Sequence, residues 1–262
     1  MLPIHTATAR TAAAPIQIVR SIGSHAPAPL ATLCSSCHLK DLCLPCGLGG
    51  RDLERLDELR FARRRVQQGD VLFRAGDRFE FVYAVRSGTF KTSLMAKDGR
   101  EQVTGFQMAG EILGLDGLAQ GAHPGTATAL EDAEICAIPY AHLTHLAGQS
   151  ADVQMAMARL MSREIVREHS LMMLLGSMSA EERLAAFLLN ISQRMKARGY
   201  SATEFHLRMS RAEMGSYLGI KLETVSRALS SFQQQALVAV DKKHIRILDL
   251  AGLQQLVDVR VH

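Results

Sequence analysis

From Arg51 to Arg65 the chain is rich in charge, and Leu53, Leu56 and Leu59 fall on one helical face, so this stretch is predicted to be a helix. A region punctuated by glycine follows. Turn signals stand at Gln68-Gly69-Asp70, Ala75-Gly76-Asp77, Ser87-Gly88-Thr89, Asp98-Gly99-Arg100, Ala109-Gly110-Glu111 and Leu115-Asp116-Gly117. Between them lie short apolar runs, Val71 to Phe73, Phe81 to Val85 and Val103 to Phe106. Short strands at regular spacing, bounded by Gly and Asp, predict an antiparallel roll or barrel. Ile135 to Ile138 is its last strand, stopped by Pro139.

The texture changes after Ser150. Residues 151–176 hold no proline, and their one glycine is Gly176 at the end, which predicts a single long helix. Ala158, Met161, Ile165, Glu168 and Met172 advance by three and four residues in turn, a heptad seam. Packing into the core of its own domain is one use for that seam. The length of the run favours the other, pairing with a second copy about a two-fold axis. Glu168 is then misplaced, because it meets or nears its mate across the axis. Like charges at a poorly hydrated contact cost on the order of 1 kcal/mol, so Glu168 is expected to keep the dimer marginal.

An amphipathic helix over residues 180–198 ends at Gly199. Met209 to Leu229 then reads as a helix-turn-helix. Ser210 with Glu213 makes a capping box. Gly215 is small where two helices cross, and Gly219 falls where the turn needs a left-handed residue. Met214, Leu218, Ile220, Val225 and Leu229 supply the apolar contacts. The second helix presents Glu223, Ser226 and Arg227 on one face, with Thr224 beside them. Glu can accept from cytosine N4 and Arg can grip guanine O6 and N7; a solvated Glu–Arg ion pair is the plainer use of that face. Leu237 to Val240 and Ile245 to Leu248 form a hairpin, a wing with Lys242 and Lys243 at its tip as expected phosphate contacts.

Bulk numbers sharpen this division. A length of 262 residues and a hydrophobic share of 47% suit two compact domains plus a tail. Residues 177–262 hold twelve Lys and Arg against eight Asp and Glu, so the whole formal excess of +4 lies in the last third of the chain, which suits phosphate binding. No apolar run is long enough to span a membrane. Residues 1–30 are Ala-, Pro- and Thr-rich, carry Arg10 and Arg20, and have no acid; they are expected to be a disordered tail without an export signal, although an organellar transit peptide has similar composition. A cytoplasmic location is expected.

Four of five cysteines lie within thirteen residues, Cys34, Cys37, Cys43 and Cys46, while Cys136 stands alone. The spacing suits one loop around one metal centre. Cys34 to His38 also spells the c-type haem attachment pattern. Four thiolates suit structural zinc, and uneven spacing with a distant ligand suits an iron–sulfur cluster. A reduced, metal-free loop is the remaining reading. Spacing alone leaves these open.

With these residues together, the chain closely resembles the FNR group of the CRP/FNR superfamily of bacterial regulators, including anaerobic regulators of pseudomonads. The likeness runs from about Cys34 to Leu250. It rests on the cysteine spacing at 34, 37 and 43, on Cys136 within Ile-Cys-Ala-Ile-Pro, on residues 222–227, and on residues 83–89 and 180–187. The resemblance implies that Cys34, Cys37, Cys43 and Cys136 bind an oxygen-labile [4Fe–4S] cluster that favours a DNA-binding dimer, which oxygen takes apart. It implies that Glu223, Ser226 and Arg227 read a TTGAT half-site and its inverted copy in double-stranded DNA. It places Ser87, Asp98 and Gly99 where the family touches RNA polymerase, and Glu168 where the family carries an acid opposing dimerisation. Two features depart from the pattern: Cys46 is an extra thiol able to substitute for another ligand, and Arg100 stands where an acid is common. Residues 123–128 lack the arginine used by the cyclic-AMP branch, and Glu111 alone cannot hold a phosphate, so cyclic AMP is not expected.

The resulting expectation is an α+β chain: a tail (1–30), a cysteine loop (31–50), a cyclic-nucleotide-binding-like jelly roll (51–150), a dimerisation helix (151–176) and a winged helix-turn-helix (177–262). The expected role is a homodimeric, oxygen-sensing transcription regulator, mainly an activator. A zinc- or thiol-responsive regulator is the rival within the class, and an iron–sulfur electron carrier or thiol oxidoreductase the rival outside it. No second acid–base constellation supports an enzyme, and an enzyme would leave the helix-turn-helix unexplained.

Overall fold

The computed structural model describes residues 31–258; the tail expected over 1–30 lies outside the described residues. Strand β1 (Ala31–Thr32) leads into the cysteine loop, and helix α1 (Gly50–Glu58) follows. The helix expected to run to Arg65 is corrected here. It stops at Glu58, Arg60 turns left-handed at φ 44°, and Phe61–Val66 is strand β2. Phe61 and Val66 are buried while Arg64 and Arg65 face outward. Three arginines in a row favour a helix by propensity, but pairing with a buried neighbour strand overrides that.

The roll continues through β3 (Val71–Phe73), β4 (Phe81–Ser87), β5 (Thr89–Met95), β6 (Glu101–Met108), β7 (Ile112–Leu113), β8 (Thr126–Ala129) and β9 (Ala133–Pro139), with a 3₁₀ turn at Leu115–Ala119. Two antiparallel sheets result, ordered β1-β2-β9-β4-β7 and β3-β8-β5-β6. Phe73, Val85, Phe90, Ala127 and Ile135 fill the space between them. Gly88 lets the chain cross from one sheet to the other: its φ is 86°, and a Cβ there would stand 2.6 Å from Ala133 Cβ.

Helix α2 (Tyr140–Ala147) was not anticipated. It buries Leu143 and Leu146 under the roll and delivers the chain to α3 (Ala151–Ser177), which is capped by Ser150 accepting from Val153 N at 3.3 Å. Val153 and Ala156 are buried near the start of α3. Further along, Ile165 is 55% and Met172 61% exposed, so the heptad seam is not consumed by the chain's own core. Helix α4 (Ala180–Ala197) starts at a capping box of Ser179 and Glu182. Then come β10 (Glu204–His206), α5 (Arg211–Leu218), α6 (Leu222–Gln234), β11 (Val238–Asp241), β12 (His244–Ile247) and α7 (Leu250–Asp258). The expected hairpin gains β10 as a third strand, in the order β10-β12-β11. Among the described residues no helix is long and apolar enough to cross a membrane.

The C-terminal domain does not hang free. Val103 and Phe106 of β6 share one core with Leu184, Phe187 and Leu218. Val103 N donates to Ser216 Oγ at 2.8 Å, and Lys91 bridges Glu101 at 3.1 Å and Glu213 at 3.3 Å. The strongest tie is Glu111, just before β7. Its carboxylate meets Arg194 of α4 and Arg198, the residue that caps α4, at 2.6 Å each, and Arg167 of α3 at 3.5 Å. Burial alone would push the Glu111 carboxyl up; Arg194, Arg167 and Arg198 outweigh it and hold the group below the ordinary carboxylate range.

Removing Glu111 leaves three guanidiniums facing one another with no anion. Glu111→Ala should lose about 3–5 kcal/mol in denaturant unfolding near pH ~7; a loss under about 1 kcal/mol would contradict this role. Because the folded carboxyl titrates below the unfolded one, its contribution is full above the unfolded value of about 4.3 and fades as pH falls through the folded value. The gap between wild type and variant should therefore narrow in acid.

Candidate metal centre and nucleic-acid interface

The cysteine loop is built from successive tight turns. Cys37 N donates to Cys34 O, Lys40 N to Cys37 O, Cys43 N to Leu39 O and Cys46 N to Cys43 O, at 3.0 to 3.2 Å. Leu39 and Leu44 are buried and pin the loop to the roll. Asp57 of α1 accepts from Cys34 N and Ser35 N. Cys34, Cys37 and Cys43 then line one cavity with Cys136, which β9 supplies from a buried position opposite Ala84 of β4. Cys46 lies outside that cavity, and Arg163 Nη2 donates to its sulfur at 3.5 Å. None of the five is in a disulfide.

Burial pushes the Cys34 thiol strongly up, and Cys43, Asp57, Cys136 and Cys37 add to it. Burial likewise pushes Cys43 up to about 12; a hydrogen bond from the Leu44 backbone opposes this, Cys136 and Cys37 reinforce it, and Arg163 opposes it. Four thiols in an apolar cleft cannot all ionise unless a cation joins them, and an all-thiol donor set suits a soft metal centre. The donors fit such a centre in kind. The void between them is about 20 Å³, room for roughly one water. Among the described residues no three His, Cys, Asp or Glu side chains converge on a single ion.

The helix-turn-helix forms where its sequence pattern places it, as α5 and α6. Both arms of the Ser210–Glu213 capping box form. Gly219 has φ 64°, and a Cβ on Gly215 would stand 2.6 Å from Ile220 O. Met214, Leu218, Val225 and Leu229 are buried. Glu223 and Arg227 are exposed on α6, with Thr224 and Ser226 half-buried beside them. No ion pair joins Glu223 to Arg227 among the described residues, which leaves that face open. Lys242, at φ 55°, forms the tip of the wing, whereas Lys243 Nζ is tied back to Arg208 O at 2.8 Å.

Ser87 is exposed at the end of β4; Asp98 and Gly99 are exposed at the tip of the β5–β6 hairpin, where Arg100 Nε donates to Asp98 at 2.7 Å. Five arginines escaped sequence reasoning. Arg183 donates to Leu175 O of α3, Met178 O and Leu218 O of α5, satisfying the ends of two helices with one side chain. Arg211 Nη1 donates to Ser226 Oγ at 3.2 Å and adds a guanidinium beside the reading face. Arg167, Arg194 and Arg198 were also missed; the four-residue spacing of the last two was the available signal.

Comparison with known proteins agrees with this layout. Residues 63–150 match the cyclic nucleotide-binding domain and residues 182–256 the Crp-like helix-turn-helix domain. The chain is 47% identical to the transcriptional regulatory protein btr of Bordetella pertussis, over 87% of this chain and 95% of that one. It is 46% identical to the transcriptional activator protein Anr of Pseudomonas protegens, over 82% and 88%. It is 42% identical to the fumarate and nitrate reduction regulatory protein of Escherichia coli K12, over 85% and 89%. Among solved structures, FixK2 from Bradyrhizobium japonicum superposes with a TM-score of 0.70 at 28% identity, covering 75% of this chain and 96% of that one.

The raised thiols give a direct check. In metal-free folded protein, Cys34 and Cys43 should react with iodoacetamide near pH ~8 at least ~10-fold more slowly than in the unfolded chain, because the thiolate is the nucleophile. Residue-resolved mass spectrometry measures this, and equal rates in the two states would contradict it.

Proposed function

This chain belongs to the CRP/FNR family of transcription regulators, and we propose that within it the chain is a homodimeric oxygen sensor that controls anaerobic genes from the cytoplasm. The family is one of regulators rather than enzymes, which sets aside the electron-carrier and oxidoreductase readings. The carrying observation is that β9 brings Cys136 to the three loop thiols of Cys34, Cys37 and Cys43, across about ninety residues of sequence. Bound there, a [4Fe–4S] cluster would supply an oxygen-reactive centre.

The chain's own residues do the rest. The cysteine loop rests on the Glu111 hub through Leu42, which a Cβ at Gly110 would approach at 2.8 Å. Ala84 pairs with Cys136, and the next residue, Val85, exchanges hydrogen bonds with Gly110 and Glu111. Movement of the loop therefore bears on a carboxylate that grips α3 and α4 together. Helix α3 presents Ala158, Met161, Ile165, Glu168 and Met172 to a second copy, with Glu168 keeping the pairing marginal. Glu223, Ser226 and Arg227 read TTGAT-type inverted repeats, Thr224 and Lys242 contact nearby backbone, and Ser87, Asp98 and Gly99 form the surface offered to RNA polymerase.

Protein purified without oxygen should be brown, with about four irons per chain, as four-thiolate ligation implies. Cys136→Ser should lose that iron while Cys46→Ser keeps it. A colourless, zinc-loaded protein with unchanged DNA binding in air would refute the proposal. Arg227→Ala should weaken specific binding by about 1–3 kcal/mol; equal wild-type affinity for TTGAT-type and random DNA would refute the reader assignment. Glu168→Ala should sediment as a dimer without metal, and a monomer would contradict its role in the seam.

A further inference from the structure

Strand β4 carries an arginine that none of the roles above uses. From Phe81 to Val85 it pairs with β9 in regular antiparallel register. The register then shifts, so that Arg86 and Ser87 together stand against Glu134. A bulge of this kind re-aims the side chain it carries. Here Arg86 lines the thiol cavity with Cys34, Cys37, Cys43 and Cys136. Its Nη1 donates to Cys37 Sγ at 3.8 Å, and its Nε donates to Glu134 Oε2 at 3.0 Å. The Arg86 side chain is 17% exposed. Glu134 therefore fixes the guanidinium from one side and leaves another of its nitrogens turned to sulfur. An ion pair between neighbouring strands explains the first contact but not the second.

The charges around the thiols point the same way. Apart from the cysteines, the charged side chains lining the cavity are Arg86 and Lys40, both cations, and no carboxylate lines it. Lys40 is exposed, whereas Arg86 is held in place. The contact of Arg163 with Cys46, at 3.5 Å, lies outside the cavity. A neutral thiol is a weak acceptor, and 3.8 Å is a long contact for one. A metal-bound thiolate carries negative charge, and charge-assisted hydrogen bonds are shorter and about twice as strong. The remaining walls, from Leu39, Leu44, Phe61 and Ile138, are apolar and leave such charge otherwise uncompensated. Hydrogen bonds to ligating sulfurs are among the levers that set the reduction potential of an iron–sulfur centre.

We propose that Arg86 is a positioning residue for the thiol-bound centre: clamped by Glu134, it donates to the Cys37 thiolate and raises the reduction potential of whatever iron–sulfur centre the thiolates hold. It acts through Cys37 and touches no metal itself. The inference rests on the reading above of Cys34, Cys37, Cys43 and Cys136 as cluster ligands.

The test is an anaerobic spectroelectrochemical titration of the full-length, cluster-loaded chain as wild type, Arg86→Gln, Arg86→Lys and Glu134→Gln. Arg86→Gln should lower the midpoint potential by a tenfold change in the one-electron equilibrium, about 59 mV. Arg86→Lys keeps the charge but loses the planar fork. It should shift the same way by less, and it decides the sign if the glutamine variant is too unstable to load. Glu134→Gln breaks the same ion pair while leaving the donor and removing a negative charge, so its potential should hold or rise. A structural role for the ion pair alone would move Arg86→Gln and Glu134→Gln together. A downward shift in Glu134→Gln matching that in Arg86→Gln, or no downward shift in either Arg86 variant, would overturn the role of Arg86 and leave the oxygen-sensor proposal standing. A wild type that takes up no cluster would overturn both.

Discussion

One half-buried carboxylate organises the molecule. Glu111 leaves the roll at a left-handed glycine and is met by guanidiniums from the long helix and from the first helix of the C-terminal domain. A lone buried charge is costly, and its removal would strand three others. The roll, the long helix and the DNA reader are therefore held in one arrangement by a contact that tolerates little displacement. Beside it Phe106, whose carbonyl accepts from Arg194, packs against Phe187 and Tyr217 at ring separations of 6.1 and 5.3 Å.

The position of that contact gives it meaning. It sits one strand from Cys136 and directly under the tip of the cysteine loop, while Arg183 ties the far end of the long helix to the helix-turn-helix. A change in how the loop seats has a short route, through packed backbone and ion pairs, to both the long helix and the helix-turn-helix. The reading face itself stays exposed because α5, not α6, docks against β6.

Much of this was legible in the sequence, for identifiable reasons. The glycine-bounded strands, the capping box at Ser210 and the left-handed Gly219 are local signals with local causes, and each stands where its pattern placed it. The cysteine set was legible only through likeness to a family, since spacing could not choose between Cys46 and Cys136. Residues 59–65 misled because their helical charge pattern is overruled by pairing with β9. Helix α2 and strand β10 are short elements stabilised by what they pack on rather than by their own pattern. Glu111 was visible as an acid without a phosphate to hold; its three arginine partners lie 56 to 87 residues away in sequence, and no local pattern joins them.

The proposed coupling runs from thiol-bound iron at one end to DNA binding at the other. It is tested most directly by admitting air in steps to anaerobically purified protein, following iron–sulfide absorbance and binding to a TTGAT inverted repeat in the same sample. Both signals should fall together, with the dimer lost in parallel. DNA binding that persists unchanged after the absorbance has bleached would contradict it.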